Sequence, residues 1–173
     1  MTMVRPVRAL LFDLDGTLVD SETQTDEAIS LVTARHGVAG FTLPHTETRG
    51  RTWAHVADTI RNRTSIGVDA RKLAAELLEC WNEATADVKP VPGSPAALHA
   101  ATACGLKLGV VSSSPRSVID SFLRKLGVSD CVDPQARIGA DAIRNGKPDP
   151  EGFLLGARRL GVDPADTLVF EDS

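Results

Sequence analysis

The sequence predicts an α/β protein: a parallel sheet with an all-helical segment inserted after its first strand. Three observations carry that prediction. Ala9-Leu10-Leu11-Phe12-Asp13-Leu14-Asp15-Gly16 is an apolar run that delivers two acids into a glycine turn. Residues 21 to 88 show helical periodicity with no strand pattern between. From Ser94 onward, apolar strands alternate with amphipathic helices, the rhythm of a parallel sheet covered by helices.

The first strand is expected at Arg8 to Phe12. Ser21, with Gln24 three residues on, has the pattern of a capping box for the first helix. Ala28, Ile29, Leu31 and Val32 form that helix's apolar face, and Gly37 ends it. A second helix is expected from Thr52, with Trp53, Val56 and Ile60 on one side. A third follows from Asp69, with Leu73, Ala74, Leu77, Leu78 and Trp81 on its face. Pro90-Val91-Pro92-Gly93 reads as a stiff return linker. The domain boundaries therefore fall at 1–20 with 90–173 for the α/β core, and at 21–89 for the helical insertion.

Beyond the linker, Ser94 is expected to cap a helix with Pro95 at its first position and Gly105 at its end. Leu106 to Val111 reads as a buried strand. Ser114-Pro115 starts a helix, with Ser114 as its expected cap, Val118, Ile119, Phe122, Leu123 and Leu126 on its face and Gly127 closing it. A short strand is expected near Arg137 to Gly139. Pro150 opens a helix containing Phe153, Leu154, Ala157 and Leu160, ended by Gly161. Thr167 to Phe170 is the last strand.

Composition narrows the partners. With 19 basic and 23 acidic side chains the net charge is −4, which gives no reason to expect nucleic acid or a membrane surface. No apolar run approaches a membrane span. Cys80, Cys104 and Cys131 are scattered and odd in number, as in a cytoplasmic protein with reduced thiols, and no zinc spacing links them to histidines.

The chemistry starts at the first strand. Residues i and i+2 of a strand face the same way, so Asp13 and Asp15 emerge together at its carboxyl end, where open α/β sheets bind ligands. Two close carboxylates repel unless a proton or a cation lies between them. That pairing suits a nucleophile, an acid/base and a divalent metal. A plain strand-to-turn transition uses the same residue types. Ser112, at the end of the strand 106–111, is placed to bind phosphate before a helix N-terminus, with Ser113 beside it as a substrate-binding candidate. Asn145-Gly146-Lys147-Pro148-Asp149-Pro150 sets a lysine in a rigid loop, and Glu171-Asp172-Ser173 ends another apolar strand in acids.

Asp13-Leu14-Asp15-Gly16-Thr17-Leu18, Ser112, Gly146-Lys147-Pro148-Asp149-Pro150 and Glu171-Asp172-Ser173 occur in the order of the four motifs of the haloacid dehalogenase superfamily, which this chain resembles throughout its length. The resemblance implies a Rossmann-like core with a helical cap, of the subgroup containing phosphoglycolate phosphatases, sugar phosphatases and β-phosphoglucomutases. It implies a magnesium-dependent phosphatase acting on a small phosphorylated metabolite, with Asp13 as nucleophile and Asp15 as general acid/base. Ser112 and Lys147 hold the phosphoryl group. Magnesium is held by Asp13, the backbone carbonyl of Asp15, Glu171 and Asp172.

Asp15 points to phosphoryl chemistry, because dehalogenases of the superfamily lack an aspartate there. β-Phosphoglucomutases carry a histidine at the position that matches Thr25, so its absence favours a phosphatase. A mutase and a catalytically silent protein stay open as alternatives. Thr48-Arg49-Gly50-Arg51-Thr52 resembles the family's specificity loop, in which Arg49 and Arg51 grip the leaving group. As residue types they read equally well as solvated surface arginines. The expected state is a monomer or weak homodimer. Family members continue beyond the fourth motif, so the resemblance also implies that a 173-residue form is less stable and less active than one carrying a further tail.

Overall fold

The computed structural model describes residues 5–172. In chain order the elements are β1 (Ala9–Phe12), α1 (Glu22–Arg35), α2 (His45–Thr48), α3 (Trp53–Arg63), α4 (Ala70–Ala84), α5 (Ser94–Ala103), β2 (Lys107–Val111), α6 (Arg116–Lys125), β3 (Arg137–Ile138), α7 (Glu151–Leu160) and β4 (Thr167–Phe170). They form two compact units. One comprises the chain through Val19 together with Pro90–Asp172; the other is Asp20–Lys89.

The first unit is built on a four-stranded sheet of order β3-β2-β1-β4. Every strand pair in it is parallel, in line with the β-α-β rhythm. All four residues of β1 are buried, as a continuous apolar run at the sheet centre requires. Its register sets Phe12 beside Val110 on one flank and Phe170 on the other, so β1 and β4 end level and β2 runs one residue further. The Phe12 and Phe170 rings stack at 4.9 Å. Helix α7 lies close against this sheet because Gly152 and Gly156 leave room for it. A Cβ on Gly156 would stand 3.1 Å from Leu11 Cδ2, and one on Gly152 2.8 Å from Val111 Cγ1. Ala9, Leu11, Ala136, Ala157, Leu160 and Val162 pack into one buried cluster here.

In the second unit α4 carries the widest apolar face, burying Leu73, Leu77, Cys80 and Trp81. Asp69 caps it, accepting from the amides of Arg71 and Lys72. Val56, Ala57 and Ile60 of α3 are buried likewise, and the Trp53 and Trp81 rings meet at 6.0 Å.

Several expectations change. The three predicted helices of this region are four, because His45–Thr48 forms a single turn after Pro44. One turn is too short to show periodicity. Ser21 is the N-cap of α1, but its side chain makes no capping hydrogen bond and the capping box does not form. Ser94 is already helical: Gly93, at φ +87°, is the N-cap, and the Ser94 hydroxyl donates instead to the Leu18 carbonyl at 2.8 Å. Ser114 does not cap α6 either. Pro115 is its N-cap, and the free Arg116 amide is taken by Asp141 Oδ1 at 2.9 Å, an acid 25 residues away in sequence. Finally, β4 is apolar without being buried: Leu168, Val169 and Phe170 are each 40–46% exposed.

Candidate active site

The neighbouring carboxyl ends of β1, β2 and β4 bring the predicted chemical residues of the first unit together. Asp13 directly follows β1 and is 3% exposed. Its amide donates to the Phe170 carbonyl at 2.9 Å, which ties it to the start of Glu171-Asp172. After Asp13 the chain folds back on itself. Leu18 and Val19 donate to the Leu14 carbonyl, and Gly16 donates to that of Val19 at 2.7 Å. Gly16 has φ +82°, and a Cβ there would run into the Asp172 carboxylate. Glycine thus serves both the turn and the close approach of β4.

Lys147 reaches into this ring of acids. Its Nζ lies 2.5 Å from Asp13 Oδ1 and 2.6 Å from Glu171 Oε2. The Lys147–Pro148 peptide is cis. The Phe153 ring lies beneath the ammonium, 5.3 Å from its centroid. Ser112 is 1% exposed. Its hydroxyl donates to Asp15 Oδ2 over a long 3.5 Å and accepts from the Ser114 amide at 3.0 Å. Ser113 follows it, half-buried, just beyond the end of β2. Thr17 was not singled out from the sequence; its hydroxyl donates to Asp172 Oδ1 at 3.3 Å. The signal for it was only its place in the turn, two residues after Asp15.

Arg49 and Arg51 belong to the second unit. Arg49 ion-pairs with Glu22 at 2.5 Å, and the half-buried Arg51 donates its amide to the Thr48 carbonyl at 3.1 Å. Gly50 between them has φ +64°.

The electrostatics of the sheet edge are one-sided. Burial pushes the Asp13 carboxyl up to about 8. Lys147 pulls it back down, while Glu171 and Asp15 add to the rise. The acids gathered here thus outnumber the ammonium that faces them. Asp13, Glu171 and Asp172 each offer a carboxylate oxygen, all within 4.8 Å of one another. Hard oxygen donors at this spacing, in a ring short of positive charge, fit a hard divalent cation.

A parallel sheet with acids and a lysine gathered at its carboxyl edge defines an α/β enzyme of the kind that works at strand ends. A family model for haloacid dehalogenase-like hydrolases matches residues 7–173, and the chain belongs to that family. Among similar proteins is validoxylamine A 7'-phosphate phosphatase of Streptomyces hygroscopicus subsp. limoneus, 35% identical over 96% of this chain and 77% of that protein. Hexitol phosphatase A of Escherichia coli K12 is 31% identical over 96% and 74%. The crystal structure of β-phosphoglucomutase from Clostridium difficile has the same fold, with a TM-score of 0.81 at 23% identity, covering 96% of this chain and 77% of that one. The chain is accordingly a phosphoric monoester hydrolase with a Rossmann-like core. Among the described residues, no helix is long and apolar enough to cross a membrane.

Proposed function

We propose that this enzyme is a magnesium-dependent phosphatase for a small phosphorylated sugar or polyol, or a phosphoglycolate-like acid, working through an aspartyl-phosphate on Asp13. The observation that carries the reading is the buried Asp13 carboxyl, held at 2.5 Å by Lys147 and ringed by Glu171 and Asp172. The similar proteins named validoxylamine A 7'-phosphate phosphatase and hexitol phosphatase A favour a polyhydroxylated substrate.

In this mechanism an Asp13 oxygen attacks phosphorus, and the bond from phosphorus to the leaving oxygen breaks. Asp15 gives its proton to that oxygen. As a carboxylate, Asp15 then takes a proton from water. The water oxygen bonds to phosphorus, the Asp13–phosphorus bond breaks, and inorganic phosphate is released. Lys147 and Ser112, with Ser113 beside it, hold the charge of the phosphoryl oxygens. Asp13, Glu171, Asp172 and the Asp15 carbonyl would hold magnesium, which supplies the positive charge that lets a carboxylate approach a phosphate dianion. The helical unit is proposed as the cap of this enzyme. Arg49 and Arg51 are its candidates for gripping the leaving group, a role that their guanidinium donors suit.

The test is phosphate release from a panel of sugar phosphates, polyol phosphates and phosphoglycolate, with magnesium and with a chelator. Release that requires magnesium supports the reading. Isomerisation of a sugar phosphate without phosphate release, dependent on a bisphosphate primer, would replace it with a mutase.

A further inference from the structure

We propose that Glu151 is a positioning residue, whose carboxylate clasps the backbone of the loop carrying Lys147 and thereby sets the Lys147 ammonium against Asp13 and Glu171. The proposal rests on the reading of Lys147 as the group that holds the phosphoryl charge.

Glu151 is the first residue of α7, yet its side chain does not serve that helix. It reaches back along the chain. One carboxylate oxygen accepts from the Arg144 amide at 3.0 Å, and the other from the Asn145 amide at 2.9 Å. The far end of the loop is tied as well. The Glu151 amide donates to Asp149 Oδ1 at 2.9 Å, and the Asp149 amide to the Gly146 carbonyl at 3.1 Å. Lys147 lies in the middle of this closed segment. Such a loop needs an outside clasp, because Pro148 and Pro150 have no amide hydrogen to donate and Gly146 adds backbone freedom.

The two amide bonds, that to Arg144 first, hold the Glu151 carboxyl below its usual range. It is therefore ionised at neutral pH and purely an acceptor, which matches two converging N–H groups. The same first turn of α7 supplies Phe153, whose ring faces the Lys147 ammonium. One end of one helix thus fixes both the loop and the group it delivers. Glu151 acts through Lys147 and not on the substrate.

The first readout does not depend on turnover. Amine acylation of the intact protein with an N-hydroxysuccinimide acetate ester, read by peptide mass spectrometry, compares Lys147 with the exposed Lys72. In the wild type Lys147 is protected; in Glu151→Ala its labelling relative to Lys72 rises several-fold. Glu151→Gln, which keeps one acceptor oxygen, falls between. If Ala does not fold, Gln alone carries the test. An unchanged Lys147 labelling rate in both variants would overturn the proposal.

The second readout is magnesium-supported hydrolysis of p-nitrophenyl phosphate. Glu151→Ala is expected to lower kcat/KM by about 10–100-fold, as removing a partner that orients a functional ligand typically does. Where Lys147→Ala retains measurable turnover, adding Glu151→Ala to it should change kcat/KM little, because the clasp then has nothing to position. A full and additive loss there would mean that Glu151 supports the fold and not Lys147. A wild-type protein that hydrolyses no phosphomonoester would refute the phosphatase reading, while the acylation experiment would still decide the role of Glu151.

Discussion

The ion pairs at the sheet edge and the exposed pairs of the helical unit treat charge in opposite ways. In the α/β unit, Lys147 bonds to Asp13, 134 residues away, and to Glu171, with side chains only 4–19% exposed. In the helical unit, Arg49 pairs with Glu22, Arg63 with Glu47 and His45 with Asp26, all between side chains 30% exposed or more. Surface pairs of the second kind are worth about 0–1 kcal/mol. Gathering several acids in a buried place costs stability unless a proton or cation compensates. The sheet edge therefore shows what function keeps against the folding energy, and the helical unit shows what solvation tolerates.

Four substitutions break or sharpen this contrast. The largest effect is expected at Asp15→Asn. It should lower phosphate release by about 10²–10⁴-fold, the usual worth of general acid/base help, while slow phosphoenzyme formation persists in quench experiments. Lys147→Ala should lower kcat/KM by about 10²–10³-fold, as loss of one group placed against developing charge commonly does; steady-state kinetics on the best substrate measures it.

Asp120→Asn tests a charge cluster of intermediate depth. Asp120 accepts from Arg137 at 2.9 Å and from Arg116 at 3.2 Å, and Arg137 donates further to the carbonyls of Ser129 and Val132. Burial works against the charged form of Asp120, but the bonds and charges of the two arginines outweigh it and hold its carboxyl below the usual range. A depressed folded value means that the stabilisation is present above the unfolded value of about 4 and is lost as the pH falls through the lower folded one. The variant should lose about 1–3 kcal/mol near neutral pH, by urea unfolding. The two proteins should converge in acid.

Arg49→Ala is the smallest change in stability, about 0–1 kcal/mol. A rise in KM at unchanged stability would give Arg49 the proposed role in gripping the leaving group. Unchanged KM would leave it a surface pair with Glu22.

What the sequence revealed and what it hid follow from the same distinction. Strands and long helices were legible because their apolar periodicity is local: β4 spans Thr167–Phe170 as read from sequence, and α4 follows Asp69 as expected. The acids at strand ends were legible because a strand fixes which residues share a direction. Tertiary hydrogen bonds were not. Ser114 looks like a cap for α6, but the acceptor is Asp141. Glu151 looks like an ordinary acid in a first helical turn, which gives no hint that it holds residues six and seven positions back.

The central claim is that Asp13 forms a covalent bond to phosphorus. Acid quenching of the enzyme during turnover with magnesium and its best phosphomonoester, followed by peptide mass spectrometry, tests it most directly. The account predicts a phosphoryl adduct on Asp13 and none anywhere in Asp13→Asn. Normal adduct formation in Asp13→Asn, or an adduct mapped to another residue of the wild type, would contradict it.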